Sequence, residues 1–335
     1  MRTINFAIVG CGRIAQRHAE HIANFGRLAA VCDIVPDRAR ELAAKYGCAE
    51  FPRVEDLLRT QSDVDVVSVC TPNALHAPHS ILALRAGKHV VCEKPMALST
   101  ADCLDMIRAA EEARRTLFIV KQNRFNPPIA ALKKAVDDGW LGDIVNVQLN
   151  CFWNRTNAYY QTSEWKGRLA LDGGTLYTQF SHFIDLLLWL VGDVVRIHAI
   201  TKNLLHQDII EFEDTGVIAL EFANGALGTI NYTVNSHKKN MEGSITLFGK
   251  KGTVKVGGQY LNVLEYQSIE GHEIAHLAEC RPANEYGFYQ GSMSNHDKIF
   301  ENVVDVLNGK AAIATTADEG MKTVELVERI YRSAR

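Results

Sequence analysis

Short apolar runs rich in β-branched residues alternate with helical patterns along the first 120 residues. The predicted strands are Asn5–Val9, Leu28–Cys32, Val64–Cys70, His89–Cys92 and Thr116–Val120. The predicted helices between them are Ile14–Asn24, Pro36–Lys45, Ala74–Ala86 and Ser99–Arg114. Nearly continuous apolar strands separated by helices are typical of a parallel sheet covered on both faces. The pattern therefore predicts a doubly wound α/β domain.

The second half of the chain has a different pattern. After a Pro127-Pro128 break come a helix, a strand at Ile144–Trp153, an irregular aromatic stretch and a helix at Leu176–Leu190. Six predicted strands follow, at Val194–Thr201, Thr215–Phe222, Ala226–Val234, Ser244–Phe248, Thr253–Val256 and Leu261–Tyr266. Two helices close the chain, at Asn295–Leu307 and Ala317–Arg332.

Successive strands joined by tight turns predict an α+β domain with a large, mostly antiparallel open sheet. The Asn224-Gly225 pair between two of these strands is a signal for a type I′ hairpin. We expect a dinucleotide-binding domain at residues 1–122 and a substrate-binding and oligomerisation domain at residues 123–335.

Composition narrows the class of protein. The 335 residues suit two domains, and 47% hydrophobic residues with a net charge of −3 suit a globular chain. No basic field is available for nucleic acid or an acidic membrane, and no apolar run is long enough to span a bilayer. The eight cysteines are scattered without a CxxC pair, which favours a reducing cytoplasm. The histidines and cysteines lack metal-ligand spacing, so no metal is expected.

A glycine-rich turn follows the first predicted strand. Gly10, Gly12 and Ala15 form a GxGxxA pattern that opens the first helix, and Asp33 ends the second strand. Such glycines allow a tight turn and close approach of a pyrophosphate, which the free N–H groups of the helix start would bind. A carboxylate at the position of Asp33 accepts both ribose hydroxyls and repels a 2′-phosphate. The pattern predicts NAD as the cofactor.

Two further motifs carry a family resemblance. One is Thr71-Pro72-Asn73 with His76, and the other is Glu93-Lys94-Pro95. With the glycine turn they make the first domain similar to the Gfo/Idh/MocA oxidoreductase family. That resemblance implies that Lys94 lies beside the nicotinamide and contacts the reacting substrate. The cofactor-binding residues it implies are Gly10, Gly12, Arg13, Ile14, Asp33, Thr71, Asn73, His76, Glu93, Lys94 and Gln122.

The resemblance continues into the second domain. Gln122 begins a segment that matches the family after the last parallel strand, and residues 172–182 match its Gly-Gly…Asp-x-Gly-x-His pattern. Thr178 stands where that pattern has Asp, Phe180 stands at the Gly position, and His182 is retained. We expect His182 to act as the base, with Lys94 as the second catalytic residue.

A narrower resemblance is to the UDP-N-acetyl-glucosaminuronate 3-dehydrogenases of O-antigen biosynthesis. It rests on residues 152–167, 173–187 and 286–297. It implies oxidation of the sugar C3 hydroxyl, a UDP-sugar as substrate, 2-oxoglutarate as a second substrate that recycles NADH, and a homotetramer. The substrate-binding residues expected from it are Lys94, Arg155, Tyr159, Lys166, Thr178, Gln179, His182, Ser294 and His296.

Alcohol oxidation needs a base while hydride leaves for the nicotinamide. A histidine, with an ordinary pKa near 6.5, suits this task, and the charge of the oxidised nicotinamide disfavours a lysine ammonium nearby. Either Lys94 or His182 therefore fits the role of base. Two other hypotheses remain: a dehydrogenase of the same family acting on an inositol or a free sugar, and a non-catalytic dinucleotide-sensing regulator.

Overall fold

The computed structural model describes residues 2–285, 287 and 290–334. Contacts within the chain define two compact units. The first comprises residues 2–121 and 296–324, and the second comprises residues 122–295 and 325–334. A helix near the C-terminus, which the sequence analysis placed in the second domain, therefore groups with the first unit.

The first unit contains a six-stranded parallel sheet in the order β3-β2-β1-β4-β5-β6. Its strands are β1 (Asn5–Val9), β2 (Arg27–Cys32), β3 (Ala49–Phe51), β4 (Val66–Val69), β5 (His89–Cys92) and β6 (Leu117–Ile119). Its helices are α1 (Arg13–Phe25), α2 (Pro36–Tyr46), α3 (Val54–Thr60), α4 (His76–Arg85) and α5 (Thr100–Ala113). This confirms the doubly wound fold, which brings the carboxyl ends of β1, β4 and β5 to one edge of the sheet.

Local signals explain most of these boundaries. Pro36 occupies the first turn of α2, and Gly47 ends that helix in the left-handed conformation. Ser99 caps α5 by accepting the backbone N–H of Asp102 at 3.0 Å. Strand β3 and helix α3 were not predicted because both are short, with three and seven residues.

The second unit contains a seven-stranded sheet in the order β13-β12-β11-β7-β10-β9-β8. The helices before and within it are α6 (Pro127–Asp137), α7 (Asn157–Gln161), α8 (Leu169–Asp172), α9 (Thr175–Thr178) and α10 (Ser181–Val191). Its strands are β7 (Ile144–Phe152), β8 (Val194–Lys202), β9 (Thr215–Phe222), β10 (Leu227–Thr233), β11 (Glu242–Gly249), β12 (Gly252–Gly257) and β13 (Val263–Ile269). A short hairpin, β14 (Ala283–Glu285) and β15 (Gln290–Met293), precedes α11 (His296–Leu307) and α12 (Ala317–Ser333).

Only β7 and β10 pair in parallel within the seven-stranded sheet; its other neighbours are antiparallel. The mostly antiparallel sheet is therefore confirmed. The β9–β10 hairpin is confirmed as well, but its turn is not type I′. Gly225 has a positive φ of 84° and Asn224 does not, whereas a type I′ turn needs positive φ at both positions.

The helix predicted at residues 176–190 is two helices, because the backbone departs from helical geometry at Phe180, which has φ −118° and ψ 6°. The ring of Phe180 is fully buried and packs 5.3 Å from Trp153 and 5.8 Å from Tyr232, measured between ring centroids. The buried Phe180 ring thus lies at the break between α9 and α10.

The two faces of the seven-stranded sheet differ. Helices α6 and α10 pack against one face. The other face exposes apolar side chains, among them Ile200, Val217 and Leu227 at 70%, 55% and 57% exposure. None of the described helices combines the length and apolar character that crossing a membrane requires. All eight cysteines lie in the described part of the chain and are free.

Candidate active site

The glycine turn after β1 has the geometry of a dinucleotide-binding loop. Gly10 has a φ of +90°, and a Cβ there would lie 2.8 Å from the carbonyl of Cys70, so only glycine fits. At Gly12 a Cβ would meet nothing within 4 Å, which leaves open space beside the start of α1. No side chain caps this helix, and Ala15 is fully buried. The uncapped N–H groups of its first turn suit a pyrophosphate.

Asp33 stands next to this turn at the end of β2. Its Oδ2 accepts the backbone N–H of Cys11 at 2.7 Å, and its Oδ1 accepts that of Val35 at 2.8 Å. A carboxylate has about four acceptor positions, so capacity remains for ribose hydroxyls. The neighbouring Ile34, 88% exposed, offers an apolar surface for an adenine ring. Ile34 was not among the predicted cofactor-binding residues, although an apolar residue directly after the acidic end of the strand was a usable signal.

The remaining residues of the loop region differ in exposure. Arg13 is exposed in the first turn of α1, and Ile14 and Thr71 are partly buried. Together with Gly12, the uncapped helix start and Asp33, this arrangement fits NAD. Asn73 is buried in a 3₁₀ turn after β4. Its predicted contact with the cofactor stays a prediction.

His76 joins two loops at the carboxyl edge of the sheet. Its Nδ1 lies 2.6 Å from the carbonyl oxygen of Pro95, and its Nε2 lies 2.9 Å from that of Thr71. Burial lowers the pKa of His76, and the side chain is only 1% exposed. His76 was expected to bind the cofactor, and that contact stays a prediction. The structure places its ring between the Thr71 loop and the turn that contains Lys94.

Glu93 and Lys94 follow β5, and the peptide bond from Lys94 to Pro95 is cis. The carboxylate of Glu93 is buried, and its Oε1 lies 2.7 Å from Nε2 of His18 and 3.5 Å from Nε2 of His296. Its Oε2 accepts the backbone N–H of Lys94 at 3.1 Å. Lys94 itself is partly buried.

Burial alone would raise the pKa of Glu93, but hydrogen bonding to His18 and interaction with His296 outweigh it and hold the pKa well below its ordinary value. Glu93 was expected to bind the cofactor and His296 the substrate. Both side chains are buried, with Nε2 of His296 3.5 Å from Oε1 of Glu93, and their contacts with cofactor and substrate stay predictions. Their donor atoms and that of His18 lie within 4.8 Å, a set that metal ions use. Sequence spacing did not reveal this set, because its members come from α1, the end of β5 and α11.

In the second unit, His182 lies in the first turn of α10 and is 3% exposed. Its Nε2 lies 3.0 Å from the amide nitrogen of Gln122. An amide nitrogen only donates, so Nε2 accepts, and the neutral ring carries its proton on Nδ1. Asp185, one turn further along α10, forms a buried two-point ion pair with Arg124 at 2.8 and 2.7 Å. Gln122 was expected to bind the cofactor; it contacts His182, and its contact with the cofactor stays a prediction.

Thr178 stands where the family pattern has Asp, but another carboxylate lies beside it. The hydroxyl of Thr178 donates to the carboxylate of Asp172, which also accepts the backbone N–H of Gly167 at 2.8 Å. Asp172 is 1% exposed. A carboxylate therefore does stand beside Thr178, supplied from six residues earlier in the chain.

Four predicted substrate-binding residues converge in the second unit. Nε of Arg155 donates to Oε1 of Gln179 at 2.7 Å, and Nε2 of Gln179 donates to the Tyr159 hydroxyl at 2.8 Å. The ammonium of Lys166 lies 4.1 Å from the centre of the Tyr159 ring, and the guanidinium of Arg155 lies 5.2 Å from it. Two cations thus flank one aromatic ring, an arrangement suited to an anionic ligand with a flat or sugar-like face.

The structure describes only some of residues 286–297, the last segment on which the resemblance rests. Ser294 is partly buried just before α11. Tyr286, Phe288 and Tyr289, which contributed to the resemblance, lie outside the described residues. The substrate-binding role of Ser294 stays a prediction.

Two models of the same oxidoreductase family match the two halves of the chain. The family model described as "Oxidoreductase family, NAD-binding Rossmann fold" (GFO_IDH_MocA) matches residues 4–121. The model described as "Oxidoreductase family, C-terminal alpha/beta domain" matches residues 133–335. Inositol 2-dehydrogenase of Rhizobium meliloti is 26% identical over 339 residues, which cover 99% of this chain and 97% of the relative.

Two solved structures are more similar. One is the WlbA dehydrogenase from Bordetella pertussis in complex with NADH and UDP-GlcNAcA, which is 38% identical with a TM-score of 0.89 and covers 100% of this chain and 97% of that one. The other is the WlbA dehydrogenase from Chromobacterium violaceum with the same two ligands. It is 37% identical with a TM-score of 0.91 and covers 100% of this chain and 94% of that one.

Proposed function

The chain belongs to the Gfo/Idh/MocA family of NAD-dependent oxidoreductases, and from this premise we propose that it oxidises the C3 hydroxyl of UDP-N-acetyl-glucosaminuronic acid to a ketone. The observation that carries the proposal is that Arg155, Gln179 and Lys166 converge on the side chain of Tyr159. A uronic acid nucleotide carries a carboxylate and two phosphates, and paired cations next to an aromatic ring suit such a ligand. The similarity over the full chain to enzymes crystallised with UDP-GlcNAcA supports the same substrate.

His182 and Lys94 have complementary roles in this reaction. NAD, when bound, accepts the hydride. His182 takes the hydroxyl proton at Nε2 once the substrate hydroxyl has displaced the Gln122 amide from this atom, because the one lone pair of Nε2 accepts from one donor at a time. Lys94 donates a hydrogen bond to the oxygen on which negative charge develops. Thr178 and Asp172 keep a carboxylate close to the α9 segment that precedes His182.

Arg155 and Lys166 neutralise the substrate carboxylate in this proposal. A site whose cations pair with a carboxylate discriminates against a neutral analogue, because binding the analogue desolvates the cations without forming that ion pair. The same cations suit 2-oxoglutarate, a dicarboxylate, as the oxidant that recycles NADH. The resemblance further supports a place for the enzyme in O-antigen biosynthesis. The free cysteines support a reducing compartment, the cytoplasm.

Self-association as a homotetramer is part of the proposal. The uncovered face of the seven-stranded sheet exposes Ile200 directly opposite Val217 on the neighbouring strand, and Leu227 lies on the same sheet. Exposed apolar patches of this kind commonly mark contacts between proteins. We assign this face to contacts between copies of the chain.

A substrate comparison tests the proposed function. The protein is incubated with NAD and, in turn, UDP-N-acetyl-glucosaminuronic acid, UDP-N-acetylglucosamine and myo-inositol, and formation of NADH is followed by absorbance. Mass spectrometry identifies the product, which should have lost two hydrogen atoms. The highest kcat/KM should belong to the uronate.

Two results would favour other functions. Preference for myo-inositol or a free sugar would assign the enzyme to the inositol dehydrogenase branch, to which it is 26% identical. Binding of NAD without turnover of any sugar would favour a dinucleotide-sensing regulator.

A further inference from the structure

The connection between β8 and β9, residues 203–214, is longer than two adjacent antiparallel strands need. About two to five residues are enough to join such strands, and longer connections commonly carry function. This β8–β9 loop places His206 against the main chain of Arg155. We propose that His206 and Asp214 of the loop are positioning residues for Arg155 and thereby determine the preference for a uronate. The proposal rests on the proposed function, in which Arg155 binds the substrate carboxylate.

His206 bridges Asp214 and the main chain of Arg155. Its Nε2 lies 2.9 Å from the carbonyl oxygen of Arg155, and its Nδ1 lies 3.1 Å from Oδ2 of Asp214. His206 is 5% exposed and Asp214 is fully buried. A carbonyl and a carboxylate only accept hydrogen bonds, so both ring nitrogens donate and the ring is the cationic imidazolium. The two residues therefore form a buried ion pair whose free donor is used on Arg155.

The loop backbone fixes this ion pair. Oδ1 of Asp214 accepts the N–H of Leu204 at 3.1 Å, and Oδ2 accepts that of Leu205 at 2.8 Å. Burial alone would raise the pKa of Asp214, but the hydrogen bonds from His206 and from these two N–H groups outweigh it and hold the pKa below its ordinary value. The backbone N–H of His206 donates to Oδ1 of Asn203 at 2.9 Å. The imidazolium is thus held at both ring nitrogens and at its own main chain.

A second connection joins Asp214 to Arg155 through the end of β10. The carbonyl of Asp214 accepts the N–H of Val234 at 2.9 Å, and the carbonyl of Val234 accepts the N–H of Arg155 at 2.8 Å. The N–H and the carbonyl of Arg155 are therefore both anchored to the segment that contains Asp214. The guanidinium extends from this anchored main chain to Gln179. Because a displacement of about 1 Å in a binding group weakens its function strongly, main-chain anchoring bears directly on how Arg155 meets a carboxylate.

The loop also supports the aromatic part of the same cluster. The ring of His206 lies edge-on to that of Tyr160, with 5.3 Å between the ring centroids, and the rings of Tyr160 and Tyr159 are 5.1 Å apart. Ile210 packs against both tyrosines. Since Tyr159 is the ring flanked by the two cations, the β8–β9 loop contacts the main chain of Arg155 and the packing around Tyr159.

Two amide variants of His206 in the full-length protein separate its two hydrogen bonds. The side-chain nitrogen of Gln approximates the position of Nε2, whereas that of the shorter Asn approximates Nδ1. His206→Gln therefore retains a donor for the Arg155 carbonyl, and His206→Asn retains only a donor for Asp214. Both variants remove the ring and its charge equally. Asp214→Asn, which retains one acceptor oxygen and removes the charge that holds the ring, is a further variant.

Glu213→Gln is the matched control. Glu213 is also a buried carboxyl and directly precedes Asp214, but its side chain accepts hydrogen bonds from Tyr232 and Tyr331. The thermal midpoint and NAD affinity establish that each variant is folded.

The first readout is the ratio of kcat/KM for UDP-N-acetyl-glucosaminuronic acid to that for the neutral UDP-N-acetylglucosamine. His206→Asn should lower this ratio by about tenfold or more, through a higher KM for the uronate with little change in kcat, because the groups that react are not altered. His206→Gln should stay within about threefold of the parent, since its donor reaches Arg155. Asp214→Asn should lower the ratio as well, and Glu213→Gln should leave it unchanged. In an Arg155→Met protein, His206→Asn should cause no further loss, since His206 acts through Arg155.

The second readout needs no substrate. Hydrogen–deuterium exchange, read by mass spectrometry on peptides that cover residues 153–157, reports how firmly the main chain of Arg155 is held. Exchange there should be faster in His206→Asn than in the parent by about threefold or more, and close to the parent in His206→Gln and Glu213→Gln.

Four results would each overturn the proposal: an unchanged ratio in folded His206→Asn, an equal loss in His206→Gln, a further loss when His206→Asn is added to Arg155→Met, or unchanged exchange at residues 153–157 in His206→Asn. If His206→Asn does not fold, Asp214→Asn is compared with Glu213→Gln, and an equal ratio in these two variants would also overturn it. A parent protein without turnover on any sugar nucleotide would refute the proposed function alone, since the exchange readout would still decide whether His206 holds Arg155.

Discussion

The amide nitrogen of Gln122 lies 3.0 Å from Nε2 of His182, so the nitrogen proposed to take the substrate proton already accepts a hydrogen bond. Replacing this donor by a carboxylate should stabilise the protonated ring. We expect Gln122→Glu to move the acidic limb of the kcat/KM profile to higher pH by about one unit. Gln122→Asn is the control for side-chain size. If the acidic limb of the Gln122→Glu profile does not move, residue 122 does not influence the proton transfer.

Asp33 should determine the choice of cofactor. Asp33→Ala removes an acceptor for the ribose hydroxyls, and a hydrogen bond to a charged group contributes about 1.5–3 kcal/mol. Calorimetry should show weaker NAD binding by at least tenfold and weaker discrimination against NADP. Asp33 also holds the N–H groups of Cys11 and Val35, so Asp33→Asn, which keeps one acceptor, separates loss of the turn from loss of charge. Unchanged NAD affinity in both variants would contradict this placement.

Lys166 and Arg155 should carry the preference for a uronate. Lys166 is the better test, because it is partly buried while Arg155 is 3% exposed and bonded to Gln179. Lys166→Ala should lower kcat/KM for the uronate by about tenfold or more and change that for the neutral sugar nucleotide little. Lys251→Ala, at a lysine outside this cluster, is the control. An equal loss for both nucleotides would show that Lys166 does not read the carboxylate.

The buried carboxyl of Glu213 should make stability depend on pH. Burial raises its pKa from 4.5 to about 7, although Tyr331 and Tyr232 donate hydrogen bonds to it at 2.7 and 3.1 Å. The folded state holds this proton between pH 4.5 and about 7 and the unfolded state does not, so stability falls as pH rises through that window. At about 1.4 kcal/mol per unit, the loss is about 3 kcal/mol.

Glu213→Gln should remove that dependence. Urea unfolding at pH 5 and pH 8 should show a smaller decrease for the variant than for the parent, since a neutral amide does not titrate. If the parent and the variant lose the same stability over this range, the burial of an ionisable Glu213 is not its cause.

The uncovered face of the seven-stranded sheet should hold copies of the chain together. Val217→Lys places a charge opposite Ile200 on the face that exposes apolar residues. Light scattering should show a tetramer for the parent and smaller species for the variant. Leu169→Lys, at a residue that is 49% exposed outside the sheet, should keep the mass of the parent. A monomeric parent would refute the assignment.

Local patterns in the sequence determined much of this protein. The alternation of apolar strands and helices predicted the parallel sheet, and the glycines and Asp33 predicted the dinucleotide loop, because each signal depends on residues close in the chain. Similarity to a known family indicated that Lys94 and His182 are the catalytic residues to expect. Short elements such as β3 and α3 were missed because a few residues carry too little periodicity.

The tertiary structure decided what distant residues do to one another. Glu93 meets His18 and His296 across separations of 75 and 203 positions, Thr178 meets Asp172 across a turn, and Phe180 divides a helix that the pattern predicted to be continuous. Spacing along the chain cannot show such contacts, because they arise when the core excludes water and each buried polar group must find a partner. The sequence therefore determined the elements and the cofactor loop, and folding determined which charges lie together.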